Sequence, residues 1–137
     1  KTERDQQNKA AFMLKHFFPK KVEGALLTPP IVQHVVKGKT IEVTVSFPEA
    51  SKEESGRIWW IFDRAPDGSP DYLTEMIPDD QTMEMKRTGN RWTATIKIDP
   101  KASRIDFFSN HRKTLRYEEN SYRSYLSSPY TRVKLSE

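Results

Sequence analysis

Residues 57–63, RIWWIFD, decide how the chain folds. Side chains of a β-strand alternate between two faces, so Ile58, Trp60 and Phe62 point one way and Trp59 and Ile61 the other. A strand with one solvated face would be polar at 59 and 61. Here both faces are apolar, which predicts a central strand whose second face has its own cover: another layer of the chain, a neighbouring domain or a ligand.

Working outward, residues 39–47, KTIEVTVSF, alternate Ile41, Val43, Val45 and Phe47 with Glu42, Thr44 and Ser46, the pattern of a half-buried strand. PIVQHVV, residues 30–36, precedes it across KGK and predicts a hairpin. TMEMKR (82–87) and RWTATIKI (91–98) flank Thr88-Gly89-Asn90 as a second hairpin, with Trp92, Ala94, Ile96 and Ile98 inward. SRIDFFSN (103–110) directs Ile105 and Phe107 inward, and YTRVKL (130–135) closes the chain. Residues 65–81 hold three prolines and Asp67-Gly68 and read as loop, with at most a short edge strand from Tyr72 to Met76. Residues 111–129, HRKTLRYEENSYRSYLSSP, read as a long polar loop carrying Tyr117, Tyr122 and Tyr125. The pattern predicts a mainly β fold, an antiparallel immunoglobulin-like β-sandwich of about seven strands. Its core is expected to hold Ile41, Val43, Val45, Ile58, Trp60, Phe62, Trp92, Ile96, Ile105 and Phe107.

One segment has a different period. In DQQNKAAFMLKHFF, residues 5–18, Ala10, Met13, Leu14, Phe17 and Phe18 share one stripe of an amphipathic N-terminal helix, with Asp5 as its cap and Pro19 as its stop. The division expected is residues 1–21 as helix and linker, with the helix read as the end of a preceding domain or as part of this one, and 22–137 as the sandwich. Two uncovered apolar surfaces in one chain satisfy each other most simply, so the helical stripe is expected to lie over Trp59 and Ile61.

Composition narrows the partners. The chain of 137 residues has no cysteine and is long enough to bury a core without disulfides. The net charge is +4, but residues 49–85 are acid-rich and the bases of residues 101–137 are scattered between apolar positions, which argues against nucleic acid. No run approaches the roughly 18 apolar residues of a membrane span. Proline and aromatic richness with a polar, loop-heavy surface favours an exported protein, periplasmic or extracellular.

No G-x-S-x-G, H-E-x-x-H or Walker motif is present, and His16, His34 and His111 are far apart. Ser109 and His111 alone make no triad, so no catalytic residue is assigned. Asp63, Asp67 and Asp71 in DRAPDGSPD suggest a calcium loop only loosely and fit ordinary turns as well; no cofactor or metal is expected. The aromatics carry more. Trp59 with Tyr117, Tyr122, Tyr125 and Arg123 are the candidate ligand-binding residues, since aromatic rings and a guanidinium stack on and bond to a polysaccharide or a polar partner surface. The alternative is that the tyrosines fasten the long loop to the sandwich edge.

GNRWTATIKI (89–98) followed by DPKASRIDFF (99–108) resembles early-set immunoglobulin-like domains, including glycogen-binding-type carbohydrate modules. IDFFSNH (105–111) with SSPYTRVKL (127–135) is similar to the C-terminal β-sandwich appendages of bacterial α/β-hydrolase-type esterases and peptidases. The resemblance spans residues 5–135 but includes none of that family's catalytic motifs. It implies a non-catalytic accessory domain of a larger hydrolase. The expected partner is the catalytic domain in the same chain, or a homo-oligomer contact through Met13, Leu14, Phe17 and Phe18. A free-standing carbohydrate-binding module and a small esterase-like enzyme are the alternatives.

Overall fold

The computed structural model describes residues 3–17, 22–23, 27–48, 52–64 and 80–135. The chain runs α1 (Glu3–Phe17), β1 (Val22–Glu23), β2 (Ile31–Lys37), β3 (Thr40–Ser46), β4 (Ser55–Phe62), β5 (Thr82–Glu84), β6 (Lys86–Thr88), β7 (Arg91–Lys97), β8 (Arg104–Tyr117), β9 (Asn120–Ser127) and β10 (Thr131–Lys134). It is a mainly β protein, with two antiparallel sheets and one helix among the described residues. The expected strand from Tyr72 to Met76 lies outside the described residues.

The small sheet has the order β2-β3-β7-β6. Its two hairpins turn on Gly38 (φ 60) and Gly89 (φ 62), each first in a two-residue turn, where a left-handed backbone favours glycine. The large sheet is built on β8. One edge of β8 pairs with β4 over Ile105–Arg112 and with β1 at 116–117; the other pairs with β10 at 104–107 and with β9 at 110–117; β5 lies beyond β4. The run TMEMKR is therefore not one strand. It changes sheets at the buried Met85, whose N–H donates to the Gly56 carbonyl at 2.9 Å.

Between the sheets lie Ile41, Val43, Val45, Ile58, Trp60, Trp92, Ile96, Ile105 and Phe107, all buried, with Phe62 packed against them. These are the ten residues that alternation places inside, and each fully buried aliphatic or phenyl group stabilises by about 1.5–3 kcal/mol.

Two expectations are corrected. Residues 111–129 are not a loop: β8 continues to Tyr117, turns at Glu118-Glu119 and returns as β9. The period of two is intact there, with His111, Lys113 and Leu115 buried and Arg112 and Thr114 between them, but polar residues at the inner positions hide it. The strand count rises accordingly.

The helix does not cover Trp59. It packs on β9, over the part of the β8–β9 hairpin that extends beyond the small sheet, where Ala11 and Leu115 are fully buried beside Tyr117 and Tyr122. That overhang carries apolar groups with no opposing sheet, and the small Ala11 side chain lets the helix approach closely. Gln7 Oε1 accepts the Arg123 N–H at 3.1 Å in the same seat. The helix starts at Glu3, which puts Asp5 in its first turn and not at its cap. Of the expected stripe, Met13 is exposed, Ala10 is half-buried, and the side chains of Leu14, Phe17 and Phe18 lie outside the described residues.

Candidate functional site

The outer face of the large sheet gathers the unusual side chains. Register sets Trp59 opposite Phe108, Ile61 opposite Asp106 and Arg132 opposite Asp106. Cross-strand neighbours on one face are close enough for rings to meet. Trp59 and Phe108 stack at 5.5 Å between centroids and 14° between planes, and Phe108 stacks on Tyr130 at 6.2 Å and 22°. The Arg64 guanidinium lies 5.3 Å from the Tyr130 ring centre and donates to its hydroxyl at 2.6 Å. The cover of Trp59 is thus the sheet's own aromatic row. Partial burial, reinforced by Asp106, pushes the Tyr130 phenol above its usual range against the opposing pull of Arg64, so the ring stays neutral at physiological pH.

Beside this row Asp106, almost wholly buried, receives both Nε (2.8 Å) and Nη2 (2.9 Å) of Arg132. A bidentate guanidinium fixes both groups and gives the buried carboxylate of Asp106 its charged partner.

The five residues singled out in the sequence divide between two faces. Trp59, Tyr125 and Arg123 share the outer face, since Tyr125 pairs with Arg112 and Arg123 with Thr114. The step from Phe108 to Arg112 along β8 puts Tyr125 about 13 Å from the Trp59 row, a separate position on the same sheet. Tyr117 and Tyr122 point to the opposite face and pack with Leu115 and Ala11 under the helix. Sequence reasoning missed Phe108, Tyr130, Asp106, Arg132 and Arg64. The signal for Phe108 was its position: it follows the inward Phe107 as Trp59 precedes the inward Trp60.

A second cluster lies between the sheets. His111 Nδ1 donates to the Ser55 carbonyl at 3.1 Å, and Nε2 accepts from Ser109 Oγ at 2.8 Å. The ring meets Phe47 and Trp92 edge-on. Burial lowers its pKa from 6.5 to about 4, outweighing the Ser55 carbonyl and the Glu53 charge, which act upward, so the imidazole is neutral. Ser109 and His111 thus touch, and the pair still lacks a third member. They are 1 % and 0 % exposed, and the partner of Nδ1 is a backbone carbonyl where a triad has a carboxylate. A substrate carbonyl has no access to this hydroxyl, and the pair is part of the core's polar network, which also includes Trp92 Nε1 donating to Glu53 at 2.8 Å. A pocket of about 360 Å³ lined by Glu53, Arg87, Gly89 and Asn90 opens at the β6–β7 turn. The Arg87 guanidinium there bonds the carbonyls of Gly89 and Glu53.

Asp63 serves the fold: its Oδ1 accepts the N–H groups of Ser103 and Arg104 at 2.8 and 3.2 Å. Asp67 and Asp71 lie outside the described residues. Among the described residues no group of three or more His, Asp or Glu side chains is placed to hold a metal, and no helix is long and apolar enough to cross a membrane. Comparison with protein-family models, with curated proteins and with solved structures gives no match.

Proposed function

We propose that this chain is a non-catalytic accessory domain of a larger hydrolytic enzyme and packs against the catalytic part through helix α1. The observation that carries this is the seat of the helix. It docks on β9 through Gln7 and Ala11 and turns Phe12, 59 % exposed, and Met13, 45 % exposed, away from the sandwich. Two large apolar groups side by side on a helix that already has a seat are suited to a second seat on another body. The resemblance of the C-terminal strands to hydrolase appendages gives that body its class.

The aromatic row favours this reading over a glycan platform. A sugar ring stacks on an open aromatic face, whereas Phe108 lies between Trp59 and Tyr130, and Tyr130 carries Arg64. Phe108 thus has a ring on either side, and Tyr130 is engaged by Arg64.

The test compares amide exchange in the isolated chain and in the natural polypeptide that contains it. Gln6–His16 should exchange markedly more slowly in the latter. Equal exchange in both, or a native reading frame with no hydrolytic domain beside this one, refutes the proposal. Retention of the isolated chain on insoluble polysaccharide that disappears with Trp59→Ala would put the carbohydrate-binding reading in its place.

A further inference from the structure

Among the described residues, strand β2 is the edge of the small sheet and pairs on one side only, in an unbroken register with β3 from Ile31↔Ser46 to Lys37↔Thr40. The turn at Gly38-Lys39 fixes which backbone groups that pairing uses. The pair flanking a two-residue hairpin turn exchanges both N–H···O bonds, and bonded pairs alternate from there. Lys37, Val35, Gln33 and Ile31 therefore bond to β3, while Val36, His34 and Val32 aim their N–H and C=O groups at the open side.

The same rule holds for β9, where it turns the Arg123 N–H outward and Gln7 of α1 takes it up. Among the described residues nothing does this for β2. Over residues 31–36 the strand has few of the devices that keep edges apart: no proline, no Lys, Arg, Asp or Glu, and no bulge, the one charge being Lys37 at its end. Three of its apolar side chains are open, with Ile31 68 %, Val35 52 % and Val36 46 % exposed.

We infer that β2 is a self-pairing edge, through which two copies of this chain join antiparallel about a two-fold axis at His34. That register sets His34 opposite His34 and Val32 opposite Val36 of the other copy, and it satisfies all three outward N–H and all three outward C=O groups of each strand. Gln33 meets Val35, and Ile31 meets Lys37. The charge pattern selects this arrangement: antiparallel pairing sets the two Lys37 groups about 20 Å apart along the ribbon, whereas parallel pairing lays them side by side. The two four-stranded sheets become one sheet of eight.

Sedimentation velocity over a concentration series tests this on the 137-residue chain. The mass should move from the 16.0 kDa chain towards twice that value as concentration rises. His34→Pro removes an outward N–H and leaves the β2–β3 bonds in place, so it should abolish the dimer while retaining a cooperative unfolding transition. Val35→Lys, whose side chain is already half exposed, puts a charge on the junction and should also lose the dimer; it decides the matter if the proline variant fails to fold. A monomer at every concentration, or a dimer that survives both variants, overturns the inference.

Discussion

Acidification should unfold this protein through His111, by an amount that follows from where the ring sits. Its imidazole has an ordinary pKa of 6.5 in the unfolded chain and about 4 when buried between Phe47 and Trp92. The folded value lies below the unfolded one, so at pH between the two the unfolded chain binds a proton that the native state does not. The stabilisation is complete above about pH 7 and is lost as pH falls towards 4, with a limiting slope of about 1.4 kcal/mol per pH unit. A shift of this size corresponds to about 3 kcal/mol over the window, a large part of the stability of an ordinary domain.

The assay is urea unfolding followed by tryptophan fluorescence at steps from pH 7 to pH 4, on the wild type and on His111→Gln. Glutamine keeps a donor and an acceptor but does not titrate. All other groups are common to the two proteins and cancel in the difference. The wild type should be the more stable at pH 7, and the gap should narrow by about 3 kcal/mol on reaching pH 4. A gap constant across the range refutes the assignment, because the ring would then be reaching solvent or finding a carboxylate in the native state.

Gly56→Ala should destabilise: the new Cβ would stand 2.6 Å from Trp92 Cε3 and 3.2 Å from His111 Cε1, with the indole held by its bond to Glu53. Overpacking of about 1–3 kcal/mol, offset by about 0.4–1 kcal/mol from the stiffer unfolded chain, lowers the thermal midpoint by several degrees; an unchanged midpoint would mean the indole can move. Glu118→Gly should do the opposite. Glu118 has φ 55 at the turn position where the other two hairpins have glycine, and relief of about 1–2 kcal/mol exceeds the entropic cost of glycine. A gain of a few degrees in calorimetry supports this, and a loss counts against it.

The strands legible in the sequence are those whose two faces differ in polarity. β3 and β7 alternate cleanly, and the buried sets Ile41/Val43/Val45 and Trp92/Ala94/Ile96 follow from parity alone. The second half of β8 was illegible for the converse reason. Its inner positions are His111 and Lys113, and its outer ones are Arg112 and Thr114, so polarity carries no period there. Lys113 is buried near Lys52 and Lys15, and burial with these charges lowers its pKa below that of an ordinary amine. The helix seat was hidden because the residue that makes it, Ala11, is small, while the large apolar residues that dominate the helical pattern include the exposed Phe12 and Met13. Trp59 stood out by its neighbour, yet its stacking partners Phe108 and Tyr130 depend on a strand register that no local pattern supplies.

The same geometry would let the two proposed association surfaces coexist without competing for the core. β8 is long enough to act in two segments: Ile105 to Ser109 closes the sandwich against the small sheet, and Lys113 to Tyr117 carries the helix with β9. Phe12 and Met13 therefore hang on an attachment to which the main hydrophobic cluster contributes nothing, since that cluster and the Ala11–Leu115 cluster share no residue. The open groups of β2 belong to the other sheet, whose two inner strands, β3 and β7, are paired on both sides. The proposed packing of α1 on a catalytic domain and the inferred pairing of β2 with a second copy use separate elements, and mass action at one would leave the other free. Substitutions at Phe12 or Met13 should change partner packing without changing the dimer, and His34→Pro should do the reverse; joint loss of both from either change would show that the two segments of β8 move as one body.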